Sequence, residues 1–441
     1  DEACGRFSAG EWTARIDKSE YNAAVARIRE LIAAGDTYQV NYSFPLTASF
    51  AGDDYAWYRE LCVAQGAPFS TYLDLGRYRV LSFSPELFFE RRGDRVTTRP
   101  MKGTVRRGRW LAEDDEMARW LANSVKDRAE NIMIVDLLRN DLGKVSVPGS
   151  VQVSSLFKPE RYETVWQMTS TVESQLRPGT GLVELMSALF PCGSITGAPK
   201  IRTMQIIREL EPLARSAYTG AIGLLRPGGE CVFSVAIRTV VIDTQTGVAT
   251  FGVGGGVTIG STAEGEYEEC LVKSRFLQRK PVEFELFESM LIENGKIFLR
   301  DRHLQRLKNS AAFFGVSFRE EIYTDLERIV AAYPVGDWKL RLILTQKSFS
   351  TDITPAPTTK ETVFVTFAAA PVNSSDRFLF HKTTNRYFSP NTIYWNERNE
   401  VTESGIANVV VRLDAELFTP PVHCGLLAGT FRDQLLAEGK I

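Results

Sequence analysis

Glu266, Glu269 and Lys273 stand at i, i+3 and i+7, a spacing that puts two carboxylates and an amine on one face of a helix. A second acidic stretch carries Glu130 within Lys126-Asp127-Arg128-Ala129-Glu130-Asn131. Alone, such a face is most often just solvated. Here Gly254-Gly255-Gly256 lies upstream, where bare backbone can come close to a ligand. The three histidines, at 303, 381 and 423, all lie in the last third of the chain. Proton transfer or cation binding before them must use Asp, Glu, Lys or Tyr, and the cation should be a hard, oxygen-ligated one. Neither nucleotide fingerprint is present: Gly193 to Lys200 runs Gly-x-x-x-Gly-x-x-Lys, and the 254–256 cluster lacks Gly-x-Gly-x-x-Gly.

The elements that must hold these groups alternate in type. Ala24, Ile28, Leu31 and Ile32 predict a helix over 19–35, and Arg79–Phe89 and Arg95–Thr98 predict strands. Ile132, Val135, Leu138 and Leu142 predict the helix that carries Glu130, over Val125–Leu142 and ending at Gly143. A helix through Arg202–Leu210 precedes three strand-like runs, Ala221–Leu225, Cys231–Ile242 and Ala249–Val253, and a helix over Glu266–Leu277. After Lys280-Pro281 the pattern restarts at Phe284 with a strand, a turn at Gly295, a second strand and a helix over 301–313. Two tightly joined domains, 1–281 and 282–441, are expected, each mixed α+β.

Composition narrows the class. With 441 residues, 44% of them apolar and 24% charged, the chain can bury two cores. No apolar run reaches the ~18–20 residues that cross a bilayer, and Asp1–Gly10 lacks a basic start or an apolar core. A cytoplasmic protein with no membrane partner is expected. A net charge of −2 without a basic block excludes the usual nucleic-acid footprint. Cysteines at 4, 62, 192, 231, 270 and 424 contain no Cys-x-x-Cys, which suits reduced core thiols better than disulfides or zinc.

Residues 20–280 resemble the chorismate-utilising family of anthranilate, aminodeoxychorismate, isochorismate and salicylate synthases. The resemblance is carried by Gly35-Asp36-Thr37-Tyr38-Gln39-Val40-Asn41, Ser84-Pro85-Glu86, Pro100-Met101-Lys102-Gly103-Thr104, Lys126 to Asp141, Ser194-Ile195-Thr196-Gly197-Ala198-Pro199-Lys200 and Glu266 to Lys273. It implies a β-sandwich with flanking helices and these roles. Glu130 and Glu269, with Glu266 nearby, would hold Mg²⁺ at the ring carboxylate of chorismate, with Lys273 adding positive charge. Arg238 and Tyr218 would grip the enolpyruvyl carboxylate. Backbone at Gly193, Ser194, Gly254 and Gly256 would line the pocket. Glu86 would protonate the departing C4 hydroxyl. Lys102, where anthranilate synthases carry a small residue, resembles the aminodeoxychorismate synthases and would be the nucleophile. Gln39 agrees, since water-using relatives have a lysine there. Met101 replaces the usual Ile, and Gln167 stands where many relatives have a histidine that assists pyruvate elimination.

Residues 284–441 resemble the fold-type IV enzymes of pyridoxal phosphate (PLP), which include aminodeoxychorismate lyase and branched-chain aminotransferase. In His381-Lys382-Thr383-Thr384-Asn385-Arg386, Lys382 would carry PLP; Glu403 would face its pyridine nitrogen; Arg306, Thr430 and Phe431 would hold its phosphate. Lys382 and Glu403 are 21 positions apart, closer than the family implies, and the sequence stops before a last strand and helix. Residues are therefore expected to be omitted at Ser389-Pro390-Asn391 and after Ile441, the alternative being a degenerate domain. The resemblance further implies ammonia, free or from a separate glutamine amidotransferase, and a homodimer through the PLP domain. Rival readings are an anthranilate synthase with a non-lyase PLP domain, which Lys102 argues against, and a non-catalytic scaffold, which Glu86, Glu130 and Glu269 argue against.

Overall fold

A computed structural model describes residues 5–278, 282–357, 362–386 and 388–441. Their packing divides into two units, one of Asp1–Arg106 with Ala118–Pro281, the other of Arg107–Met117 with Val282–Ile441. Lys280-Pro281, where the sequence suggests the boundary, lies outside the described residues. Nothing in the local pattern marks 107–117 as belonging with the second unit.

Two antiparallel sheets frame the first unit. One runs Phe7–Ala9, Gln39–Gly52, Val248–Val257, Thr239–Asp243, Tyr78–Ser84, Phe69–Leu75; the other runs Ala221–Leu225, Cys231–Val235, Leu87–Arg92, Arg95–Arg99, Val165–Gln175, Met101–Arg106. Arg79–Phe89 and Cys231–Ile242, each expected as one strand, are each two, and each hands the chain from one sheet to the other. Pro85 has no N–H to give a ladder. Arg238 has φ of 52°, a left-handed conformation that ends a strand. Glu86 and Arg238 thereby sit where the chain crosses between sheets.

Each sheet has its own apolar cluster. Val40, Phe44, Leu81, Val240 and Phe251 pack with Tyr21, Val25 and Ile28 of the helix Lys18–Ala33, which Asp17 and Glu20 cap reciprocally. Phe88, Phe89, Val96, Val172 and Val235 pack with Val135 and Leu142 of the helix Val125–Gly143, capped by Ser124. Each such Leu, Val or Phe contributes roughly 1.5–3 kcal/mol by leaving water. The acidic helix is Ala263–Ser274, capped by Thr262, and a 3₁₀ turn continues it from Arg275 to Gln278.

In the second unit, Leu286–Glu293 turns through Asn294-Gly295, both at positive φ, into the short strand Lys296–Ile297. Asp337–Leu344 and Phe349–Pro355 complete that antiparallel sheet, and the helices Arg300–Phe314 and Glu321–Ala332 share its core. Thr392–Trp395 pairs antiparallel with Val401–Ser404. The five described cysteines are free thiols. Among the described residues no helix is long and apolar enough to cross a membrane.

Candidate active site

Lys102 lies on Met101–Arg106, the last strand of its sheet, and its backbone is fixed from below. Asn131 Nδ2 donates to the Lys102 carbonyl at 3.1 Å, and Ser170 Oγ donates to Asn131 Oδ1 at 2.6 Å. Glu130, the preceding helical residue, faces the cavity and its Oε2 lies 3.3 Å from Lys102 Nζ. The amine fits because Gly256 has no side chain: a Cβ there would come within 2.5 Å of Lys102 Nζ. Gln39 is fully buried nearby, and neither its Nε2 nor its Oε1 has a hydrogen-bond partner. Thr104 donates to Gln167 Oε1 at 2.9 Å, across a direct strand pairing.

Glu86 enters the same cavity from the break at Pro85. Burial pushes its carboxyl up to about 7, against the opposing pull of the Ser194 hydroxyl, the Met101 N–H and the Lys102 charge. Its Oε1 is buried without a partner, so a proton there has nothing in the protein to bond.

The face foreseen on the acidic helix forms the third wall. Lys273 Nζ contacts Glu269 Oε1 and the Gly254 carbonyl, both at 2.8 Å, and Glu266 accepts from Ser261 Oγ at 2.7 Å. Burial, with the like charge of Glu269, raises the Glu266 carboxyl. Burial also opposes ionisation of Glu269, but Lys273 and Lys102 outweigh it and hold that carboxyl below its ordinary value. Two carboxylates with opposed shifts on one face of the cavity, Glu266 half-buried and Glu269 exposed, are an environment that a cation would relieve, and hard oxygen donors suit Mg²⁺. Among the described residues no three His, Cys, Asp or Glu side chains form a metal cluster.

Arg238 closes the far end, its Nη1 donating to the Lys273 carbonyl at 2.9 Å. Burial lowers its pKa to about 10 and raises that of Tyr218 beside it. Ser194, Gly254 and Gly256 line the cavity. Gly193 stands apart from it: a Cβ there would meet Leu137 Cδ2 at 2.6 Å, so its bareness serves helix packing. Asn131 is the residue that sequence reasoning passed over, although it adjoins Glu130.

In the second unit, Lys382 Nζ lies 5.0 Å over the Phe287 ring. Burial, with Arg306 close by, lowers its pKa to about 8. The pairing of Thr392–Trp395 with Val401–Ser404 returns Glu403 to this place despite the short spacing. Burial lifts the Glu403 carboxyl to about 7, with Arg386 opposing; Glu403 Oε1 accepts from Arg386 and from Leu427 N. Arg306 forks onto Glu288 at 2.8 and 2.6 Å, leaving Nη1 to the Ala428 carbonyl at 3.0 Å. Thr430 Oγ1 and His303 Nε2 are 3.2 Å apart, whereas the Phe431 ring is exposed against Phe298. Thr383 Oγ1, Thr402 Oγ1 and Arg386 Nε are buried without partners, which fits a polar group held beside Lys382.

A buried acid, an amine and a face of carboxylates line one cavity, an arrangement suited to acid and nucleophilic chemistry on a small molecule. The chain belongs to the chorismate binding enzyme family, which matches residues 2–279. Residues 285–379 and 375–440 match amino-transferase class IV. Aminodeoxychorismate synthase component 1 of Salmonella typhimurium is 44% identical over 262 residues, 59% of this chain and 57% of that protein. Anthranilate synthase component 1 of Streptomyces coelicolor is 40% identical over 265 residues, 60% of this chain and 52% of that protein. Among solved structures, anthranilate synthase component I from Streptococcus pneumoniae aligns with a TM-score of 0.57 at 33% identity, covering 62% of this chain and 60% of that one. The chain spans little more than half the length of these curated relatives.

Proposed function

We propose that the first unit aminates chorismate to 4-amino-4-deoxychorismate and that the second converts this product to 4-aminobenzoate and pyruvate. The observation that carries the reading is Lys102, an amine lining the same cavity as the buried acid Glu86. Lys102 in its amine form adds at C2 of the ring while the C4 hydroxyl leaves as water with the proton of Glu86. Ammonia then adds at C4, the ring double bonds shift back, and the Lys102 nitrogen departs from C2; the new ammonium returns a proton to Glu86. Arg238 and Tyr218 orient the enolpyruvyl carboxylate. Glu130, Glu269 and Glu266 would hold Mg²⁺, which supplies positive charge for the ring carboxylate.

In the second unit Lys382 would hold PLP, with Glu403 at its ring nitrogen and Arg306, Thr430 and the backbone of Phe431 on the phosphate side. PLP supplies an electron sink. Lys382 moves the ring proton whose loss expels enolpyruvate, which takes up a proton to become pyruvate and leaves an aromatic ring. Placing both units on one chain raises the local concentration of the shared intermediate. We place the protein in the cytoplasm, with ammonia taken free or from a separate glutamine amidotransferase, and a homodimer through the second unit.

The test is to supply chorismate, ammonia and Mg²⁺ and identify products with and without PLP. 4-Amino-4-deoxychorismate alone, then 4-aminobenzoate once PLP is added, is the expected result. Anthranilate as the product would overturn it.

A further inference from the structure

His381, the residue before Lys382, is buried and satisfied at both ring nitrogens: Nε2 lies 3.0 Å from the Arg109 carbonyl and Nδ1 lies 2.9 Å from Ser310 Oγ. A carbonyl only accepts, so Nε2 carries the hydrogen. Burial holds the ring neutral, with its pKa lowered to about 3. Nδ1 therefore accepts from Ser310. Phe313 and Phe314 clamp the ring at centroid distances of 4.4 and 4.7 Å. Lys382 itself accepts from Phe287 N at 3.0 Å, and Thr383 bridges to Leu286, so the backbone around the lysine is pinned on both flanks.

The acceptor for His381 comes from Arg107–Met117, a segment remote in sequence yet part of the second unit. The segment is itself tightly held. Arg107 pairs with Asp114 at 2.7 Å and donates to the Phe313 carbonyl at 3.1 Å; Gly108 N donates to Asp114 Oδ1 at 2.9 Å. Arg109 donates to the Ser374 carbonyl at 3.1 Å and lies 5.1 Å over the Phe380 ring. Gly108 admits no side chain, since a Cβ would fall 2.2 Å from Asp114 N.

We propose that the Arg109 carbonyl positions Lys382 through His381, so that the second unit holds PLP well only when residues 107–117 are seated. This rests on the reading of Lys382 as the PLP-binding residue. A domain delimited at residue 281 would lack the acceptor.

The experiment uses the full chain, titrated with PLP while the absorbance of lysine-bound cofactor is followed, with chorismate amination assayed in the same preparations. Lys382→Ala is the control that the band reports that lysine. His381→Phe, which removes the donor, and Gly108→Ala, which displaces the acceptor, should each weaken PLP binding about tenfold or more, the scale of a lost buried hydrogen bond. His381→Gln keeps a donor for the Arg109 carbonyl and should recover most of the affinity, while amination in His381→Phe stays at the parental rate. Should His381→Phe not fold, the contrast between His381→Gln and Gly108→Ala reads the same bond. Parental affinity in His381→Phe or Gly108→Ala overturns the inference alone, as does equal weakening by Gln and Phe. A band indifferent to Lys382→Ala overturns the PLP reading and this inference with it.

Discussion

Lys102 Nζ and Glu130 Oε2 lie 3.3 Å apart, joining the last strand of one sheet to a helix that packs against it. Both side chains are only 17% exposed, so the pair is screened less than a surface one.

With Lys102 as the proposed nucleophile, Lys102→Ala should leave the fold intact and lower amination on the order of a thousandfold. Steady-state kinetics beside a thermal melt decide it. A variant that still aminates at the parental rate would remove Lys102 from the chemistry.

Chelation should abolish amination, and Mg²⁺ but not Zn²⁺ should restore it, because the candidate ligands Glu130, Glu266 and Glu269 offer only hard oxygens. Glu269→Ala should behave like the chelated enzyme. Full activity after exhaustive treatment with a chelator would show that no cation is required.

Glu86 acts as an acid only while protonated, and burial keeps it so up to about pH 7. The amination rate should fall as pH rises through about 7, and Glu86→Gln should lower the rate ~10²–10⁴-fold and erase that limb. Stability follows the same proton. Between its ordinary value of 4.5 and about 7, the folded chain holds a proton that the unfolded chain has released. Stability must decline as pH rises across that window, and Glu86→Gln should flatten the decline in denaturant titrations.

Asn131→Ala leaves the Lys102 carbonyl without its donor and the Ser170 hydroxyl without its acceptor. The loss should be ~1–3 kcal/mol, read as a lower midpoint in urea, with a reduced kcat and little change in KM. An unchanged midpoint would mean that water replaces the amide without penalty.

The carboxylates of the site were legible because they sit on helices, where i, i+3 and i+7 fix a shared face whatever the rest of the chain does. The role of Glu86 became visible only through the family resemblance, and its position was hidden, since apolar residues run on across Pro85 and across Ile237-Arg238 as though each strand were continuous. The missing N–H of Pro85 was the available signal for the first break. The second depends on Arg238 adopting positive φ, which its residue type does not announce. Asn131 was passed over for a related reason: its partners Lys102, Met168 and Ser170 are far away in sequence, and only folding shows that a polar residue in a helix is buried. The seat of Arg107–Met117 in the second unit is likewise a matter of distant contacts.

Glu130 and Asn131 are neighbours on one helix, yet the first looks into the cavity and the second is sealed beneath the Lys102 strand. Their separation is one step of helical phase, roughly 100°. Deleting Ala129 would leave a well-formed helix and still turn both side chains out of place, setting an amide where the carboxylate belongs. This stretch can thus accept changes of residue far more readily than changes of length, and a chain shortened by one residue between Ser124 and Glu130 would fold around a cavity stripped of its chemistry.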